Sequence, residues 1–193
     1  MPLAAPRLAT LALLAATLAM PARAGLPVSG APHVAAGAAA TDSLVRFRLE
    51  DQFGTVHTRD RYAGTPVFIV GGDRGGNAAA RAWALALTAD LTASGAGGRI
   101  AVVPVADLRP VPRLLRRLVR SRFPKARTEG VLLDWEGAVA RAHAFQPDEC
   151  TVLLVGPAGQ ILRRASGTAV DSAVVREMVR EAVGGRGDVG NGK

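Results

Sequence analysis

Three short runs leave little choice of architecture. PVFIV (66–70), RIAVVPVAD (99–107) and GVLLD (130–134) are almost wholly apolar. A strand covered on both faces reads this way, because neither set of alternating side chains meets water. Between the first two runs, Trp83, Leu87 and Leu91 recur at intervals of four, which marks one stripe of a helix. Asn77 stands where it can cap that helix. Strands separated by helices specify an α/β fold, a mainly parallel central sheet with helices on both faces. TVLLVGPAGQILRRASG (151–167) adds a late antiparallel hairpin around Pro-Ala-Gly, and a helix over 171–183 closes the domain.

Smaller elements complete the pattern. LVRFRLE (44–50) alternates apolar and charged residues, as a half-buried strand does. DQFG (51–54) is a turn and TVHTRD (55–60) its hairpin partner. Pro104 argues that the far end of its strand lies near an edge or bulge. PRLLRRLVRSRF (112–123) reads as an amphipathic helix, with Leu114, Leu115, Leu118 and Val119 inward and Arg113, Arg116, Arg117 and Arg120 outward. A short helix is expected over 135–145.

The ends have a different composition. Residues 1–24 join an early cation, Arg7, to an apolar run from Leu8 to Met20 and a small-x-small site, Ala22-Arg23-Ala24. These are the parts of a cleaved signal peptide, and the apolar run is too short to span a bilayer. Export to a bacterial periplasm is the expectation. Residues 25–42 read as a flexible lead-in, 43–184 as the folded domain and 185–193 as a disordered tail.

Cysteine usage and charge narrow the function. Cys150 is the one cysteine of the sequence, so no intramolecular disulfide forms and stability rests on the core. His33, His57 and His143 lack the spacing of a metal motif, and neither a metal nor a cofactor is expected. The formal net charge of +8 is mostly arginine. It favours an acidic partner or an anionic lipid surface; export argues against nucleic acid.

The order of elements resembles the thioredoxin-like superfamily, in its redoxin branch of peroxiredoxins and TlpA/ResA-type proteins. Four segments carry the resemblance: FRLEDQFGTVHTRDRYAGTPVFIV, the strand-turn-helix at 67–93, LLDWEGAVARAHAF and TVLLVGPAGQILRRASG. The turn, the 130–146 element and the stretch Gln146–Thr151 also resemble the YtfJ-type periplasmic proteins. The resemblance implies a Cys-x-x-Cys or a peroxidatic cysteine where the central strand meets the next helix. Here those positions fall on about Gly76 and Ala79, so the dithiol is lacking. It also implies a cis-proline before the late hairpin, at Cys150. A cis bond before any other residue costs roughly 3 kcal/mol, so the Glu149–Cys150 peptide is expected trans.

Three candidate sites follow. Cys150 would sit beside the turn with Arg74 in reach, favouring the thiolate of a one-cysteine peroxidase or thiol oxidoreductase. Asp148 and Glu149 oppose that, and an inert core thiol is the plainer alternative. His143 could be imagined as its base only if the fold brings the two together. The turn Gly72, Asp73, Arg74, Gly75, Gly76 and Asn77 could bind an anion or a partner peptide, or be a structural turn; it matches neither a Walker A nor a dinucleotide fingerprint. The ridge Arg113, Arg116, Arg117 and Arg120, continued by Arg122, Lys125 and Arg127, could dock on anionic lipid or an acidic partner, or be a solvated face. Together these features describe an exported binding or accessory module, whose expected partner is a periplasmic protein or peptide. The alternative is an enzyme using Cys150.

Overall fold

The computed structural model describes residues 33–35, 42–126 and 130–184. The expected signal peptide at 1–24, the expected tail at 185–193 and Arg127 lie outside them. The strands are β1 (His33–Ala35), β2 (Arg48–Asp51), β3 (Val56–Thr58), β4 (Val67–Gly72), β5 (Ala101–Asp107), β6 (Leu132–Asp134), β7 (Cys150–Val155) and β8 (Ile161–Gly167). The helices are α1 (Asn77–Ala93), α2 (Arg116–Arg120), α3 (Ala138–Ala142) and α4 (Ser172–Gly184), with 3-10 turns at Arg59–Tyr62 and Arg113–Leu115. Among the described residues the strands form one sheet in the order β1-β8-β7-β4-β5-β6-β2-β3. β4, β5 and β6 are parallel; every other pairing is antiparallel. This is a thioredoxin-like α/β fold.

The apolar runs lie at the centre for the reason their composition gave. Alternate residues of β4 feed two cores: Phe68 and Val70 enter one, Val67 and Ile69 the other. The first core also takes Cys150, Val152 and Leu154 from β7, Trp83, Leu87 and Leu91 from α1, and Met178 from α4. The second joins Leu153 and Val155 to Leu44, Phe47, Val139 and Phe145. Each large apolar side chain so buried contributes roughly 1.5–3 kcal/mol. Trp83 is 0 % exposed, and its indole N–H donates to the carbonyl of Ala169 at 3.1 Å. Its polar end is therefore satisfied as well.

Several local expectations need correction. Part of the segment read as a flexible lead-in forms β1, whose register pairs His33 with Ser166 on the outer side of β8. An edge strand needs backbone partners, which leave no apolar period in the sequence. Asn77 is the first helical residue rather than the cap; Gly76 is the N-cap and no side chain caps it. Pro104 pairs with Val70 in the near half of β5, where β6 does not reach, since β6 begins pairing at Val105. The open side lies there, where a missing N–H costs little. Residues 44–47 precede β2 rather than extending it, although Leu44 and Phe47 are buried.

The largest correction concerns 112–123. Leu114, Leu115 and Leu118 are 95 %, 46 % and 54 % exposed, not inward. Arg116 and Arg120 instead turn toward the domain. Arg116 donates to Glu136 at 2.7 Å and lies over the Trp135 ring at 5.2 Å; Arg120 donates to Glu50 at 2.9 Å. An amphipathic pattern defines two faces but not which is covered. Here acidic partners on β2 and ahead of α3 decide it.

Candidate functional site

The end of β4 and the start of α1 hold the position where the resemblance implies redox chemistry. β4 runs on through Gly71 and Gly72, and a turn leads to α1 at Asn77. Within the turn, Oδ1 of Asp73 accepts the N–H of Gly76 at 2.9 Å. Both oxygens of the same carboxylate accept the N–H of Asp148, each at 3.2 Å. Asp73 thus takes an N–H ahead of α1 and ties the turn to the loop that enters β7. Asp148 itself has φ 61°, a left-handed conformation that aspartate tolerates better than most residues.

The glycines make that contact possible. None of Gly71, Gly72, Gly75 and Gly76 has a positive φ, so backbone conformation does not require them. Space does. A Cβ on Gly71 would overlap the Phe145 ring, one on Gly75 the Asp148 side chain, and one on Gly76 the backbone of Glu149. At Gly72 a Cβ would come within 3.2 Å of the Glu149 carbonyl oxygen. Four glycines therefore seat the segment Phe145–Glu149 directly against the turn. Arg74, Gly75 and Asn77 remain exposed, together with residues 146–148. Arg74 makes no ion pair or side-chain hydrogen bond among the described residues.

Cys150 opens β7 between two glycines, paired with Gly72 on one side and Gly167 on the other. It is 0 % exposed and faces the core beneath α1 and α4. Burial without a cation or donor pushes its thiol up to about 12. The Arg74–Cys150 approach considered from the sequence is not formed: one side chain is exposed and the other sealed. The Glu149–Cys150 peptide is trans, as expected. His143 does not serve Cys150 either. Its Nε2 accepts the N–H of Val45 at 3.2 Å, in the segment that covers the second core.

Other residues at this end of the sheet were not singled out by sequence. Arg109 pairs with Asp107 through Nε at 2.9 Å and Nη2 at 2.6 Å. Its aliphatic stem lies against Gly137, whose φ of 67° and missing Cβ make room for it. Asp134, 0 % exposed, accepts the N–H groups of Ala138, Val139 and Ala140 at 2.7, 2.9 and 3.0 Å. It is the anion at the start of α3. An aspartate ending an apolar strand just before Gly137 was the available signal. Of the basic ridge, Arg116 and Arg120 are ion-paired inward, whereas Arg113 and Arg117 are exposed.

The sequence matches no family model and no curated protein. Solved structures are similar in fold. An exposed lipoprotein thioredoxin (Etrx1) of Streptococcus pneumoniae aligns with TM-score 0.55 at 13% identity, covering 71% of this chain and 99% of that one. A thiol:disulfide interchange protein DsbE from Chlorobium tepidum aligns with TM-score 0.52 at 19% identity, over 74% and 96% of the two chains. ScoI of Arabidopsis thaliana, a structure with copper bound, aligns with TM-score 0.51 at 14% identity, over 73% and 98%. The class defined is a thioredoxin-like, redoxin-type fold whose neighbours include thiol-disulfide oxidoreductases and a peroxiredoxin. No helix among the described residues is long and apolar enough to cross a membrane.

Proposed function

We propose that this chain is an exported thioredoxin-fold module that binds a protein or peptide partner and performs no thiol chemistry. The observation that carries this reading is the sealing of the redox position. Phe145–Glu149 packs into the glycine turn, and the one thiol of the sequence is buried with its pKa pushed up to about 12. A dithiol exchanger needs an accessible thiolate at neutral pH, and a one-cysteine peroxidase needs at least one. What stays exposed at that end is a recognition surface: Arg74, Gly75 and Asn77 beside residues 146–148. The cationic, charge–hydrogen-bonding group there is Arg74, which suits a carboxylate-bearing peptide. The arrangement of residues 1–24 supports export. The turn, the 130–146 element and Gln146–Thr151 support kinship with the YtfJ-type periplasmic proteins.

Two measurements test this. The rate of Cys150 alkylation by iodoacetamide against pH, on folded protein, should show a midpoint above about 8.5 or no reaction before unfolding. A midpoint near or below about 6.5 overturns the reading in favour of a thiol enzyme. A photo-crosslinking residue placed at Asn77 or at Gln146, with Arg74 kept, in cells exporting the protein, should give a discrete adduct absent from the same substitution at Gly184. No adduct at either position overturns the binding surface. The amino terminus of the exported protein is expected at Gly25.

A further inference from the structure

Residues 108–128 contain seven arginines, one lysine and no carboxylate. Within them the 3-10 turn and α2 project Leu114, Leu115 and Leu118 into solvent, at 95 %, 46 % and 54 % exposure. These are three of the four large apolar side chains exposed among the described residues; the other, Leu85, lies on α1. The projection is held, not incidental. Arg116 is fixed by Glu136 and the Trp135 face, Arg120 by Glu50, and both pairs oblige the opposite side of the segment to carry the leucines outward. Arg113, Arg117, Arg122 and Lys125 are exposed around the leucines and have no acidic partner within ion-pair distance among the described residues.

We propose that this segment is a membrane-surface anchor, in which the three leucines enter the interfacial region of an anionic bilayer while the four free cations meet its headgroups. An apolar tip rimmed by unpaired cations is complementary to such a surface in both chemistry and charge. A second copy of the chain is a poor occupant. A two-fold contact through the leucines would set each cationic rim against its own image, with no acid in the segment to relieve it. An acidic protein would supply the charge, but the segment offers it a projecting tip rather than a pocket. This surface is separate from the partner face at Arg74 and does not depend on it.

The test is flotation of the exported form, residues 25–193, with vesicles of phosphatidylcholine alone and with phosphatidylglycerol added at one part in four. A fluorophore on Leu114→Cys reports depth of insertion, since Cys150 is buried and the unsubstituted chain checks that it stays unlabelled. Binding to the anionic vesicles should fall about tenfold or more in L114S/L115S/L118S and, separately, in R113Q/R117Q/R122Q/K125Q. The fluorophore should shift to the blue on anionic vesicles and not in free solution. The substituted leucines are exposed, so folding is retained, as circular dichroism should verify. Unchanged binding in the leucine variant overturns the anchor in favour of plain charge attraction. A concentration-dependent mass that the leucine variant abolishes, with no blue shift on vesicles, overturns it in favour of self-association. Tight capture by polyglutamate with no blue shift on vesicles overturns it in favour of an acidic protein.

Discussion

Asp73 and Asp148 stand 75 positions apart, and the carboxylate of the first accepts the backbone N–H of the second through both oxygens at 3.2 Å. That contact turns what could be an open cleft at the end of β4 into a closed seam. It also gives Asp73 a use that competes with any anion at the turn, because the Gly76 N–H is already taken.

Removing the acceptor should loosen the seam. Asp73→Ala is expected to lower the unfolding free energy by about 1–3 kcal/mol, as hydrogen bonds to a charged group are lost at once. Asp73→Asn, which keeps one oxygen acceptor, should lose less. Urea denaturation with an unchanged m-value checks both; equal losses for the two variants would mean the hydrogen bonds are not what Asp73 contributes.

The glycines should divide by the space beside them. Gly76→Ala forces a Cβ into the Glu149 backbone and should destabilise by about 1–3 kcal/mol or more. Gly184→Ala, at the end of α4 with nothing near its Cβ, should be neutral or stabilising by up to about 1 kcal/mol. Thermal melts of the pair suffice. If Gly76→Ala melts with the parent, the close packing of 145–149 is wrong.

The leucines should behave opposite to their pattern. Leu118→Ser is expected within about 0.5 kcal/mol of the parent, as for a surface change. Leu87→Ala, at 0 % exposure, should cost about 2–5 kcal/mol. A large loss at Leu118 would show that the segment buries that face after all.

Acid should find His143. It is 1 % exposed, and burial holds its pKa below the usual histidine value, with Arg164 lowering it further and Asp42 raising it. Nε2 accepts the Val45 N–H, a bond the protonated ring cannot keep. The folded pKa lies below the unfolded one, so the unfolded chain binds the proton first as pH falls. The stability that neutral His143 provides is therefore complete above about pH 6.5 and is lost as pH drops from there toward the folded value. The slope from this group cannot exceed about 1.4 kcal/mol per pH unit. Unfolding free energies between pH 7.5 and pH 5 should show the decline, and His143→Gln should lack its share of it.

Much of this was legible in the sequence where one segment carries its own reason. β4, β6 and β7 announced themselves because both faces of each are covered, β5 although one of its faces is only half-buried, and Trp83, Leu87 and Leu91 because one stripe of α1 meets a core. What sequence could not supply was the partner of a feature. The turn was visible as glycine-rich, but its purpose lies in Phe145–Glu149, some seventy residues on. The apolar and cationic faces of 112–123 were both visible, yet Glu50 and Glu136 decide which one is covered. Cys150 read as a nucleophile or, more plainly, as a core residue, and its register between Gly72 and Gly167 puts it beneath α1. β1 left no trace because backbone pairing with β8 needs no apolar period in the sequence.

The seat made by Gly76 has a chemical consequence. Cysteines placed at Gly76 and Ala79 would spell a dithiol without making a workable one, since the first new side chain would collide with the Glu149 backbone before any chemistry began. The loop from Phe145 to Glu149 would have to retreat first, so a thiol pair at this position and the closed seam exclude one another.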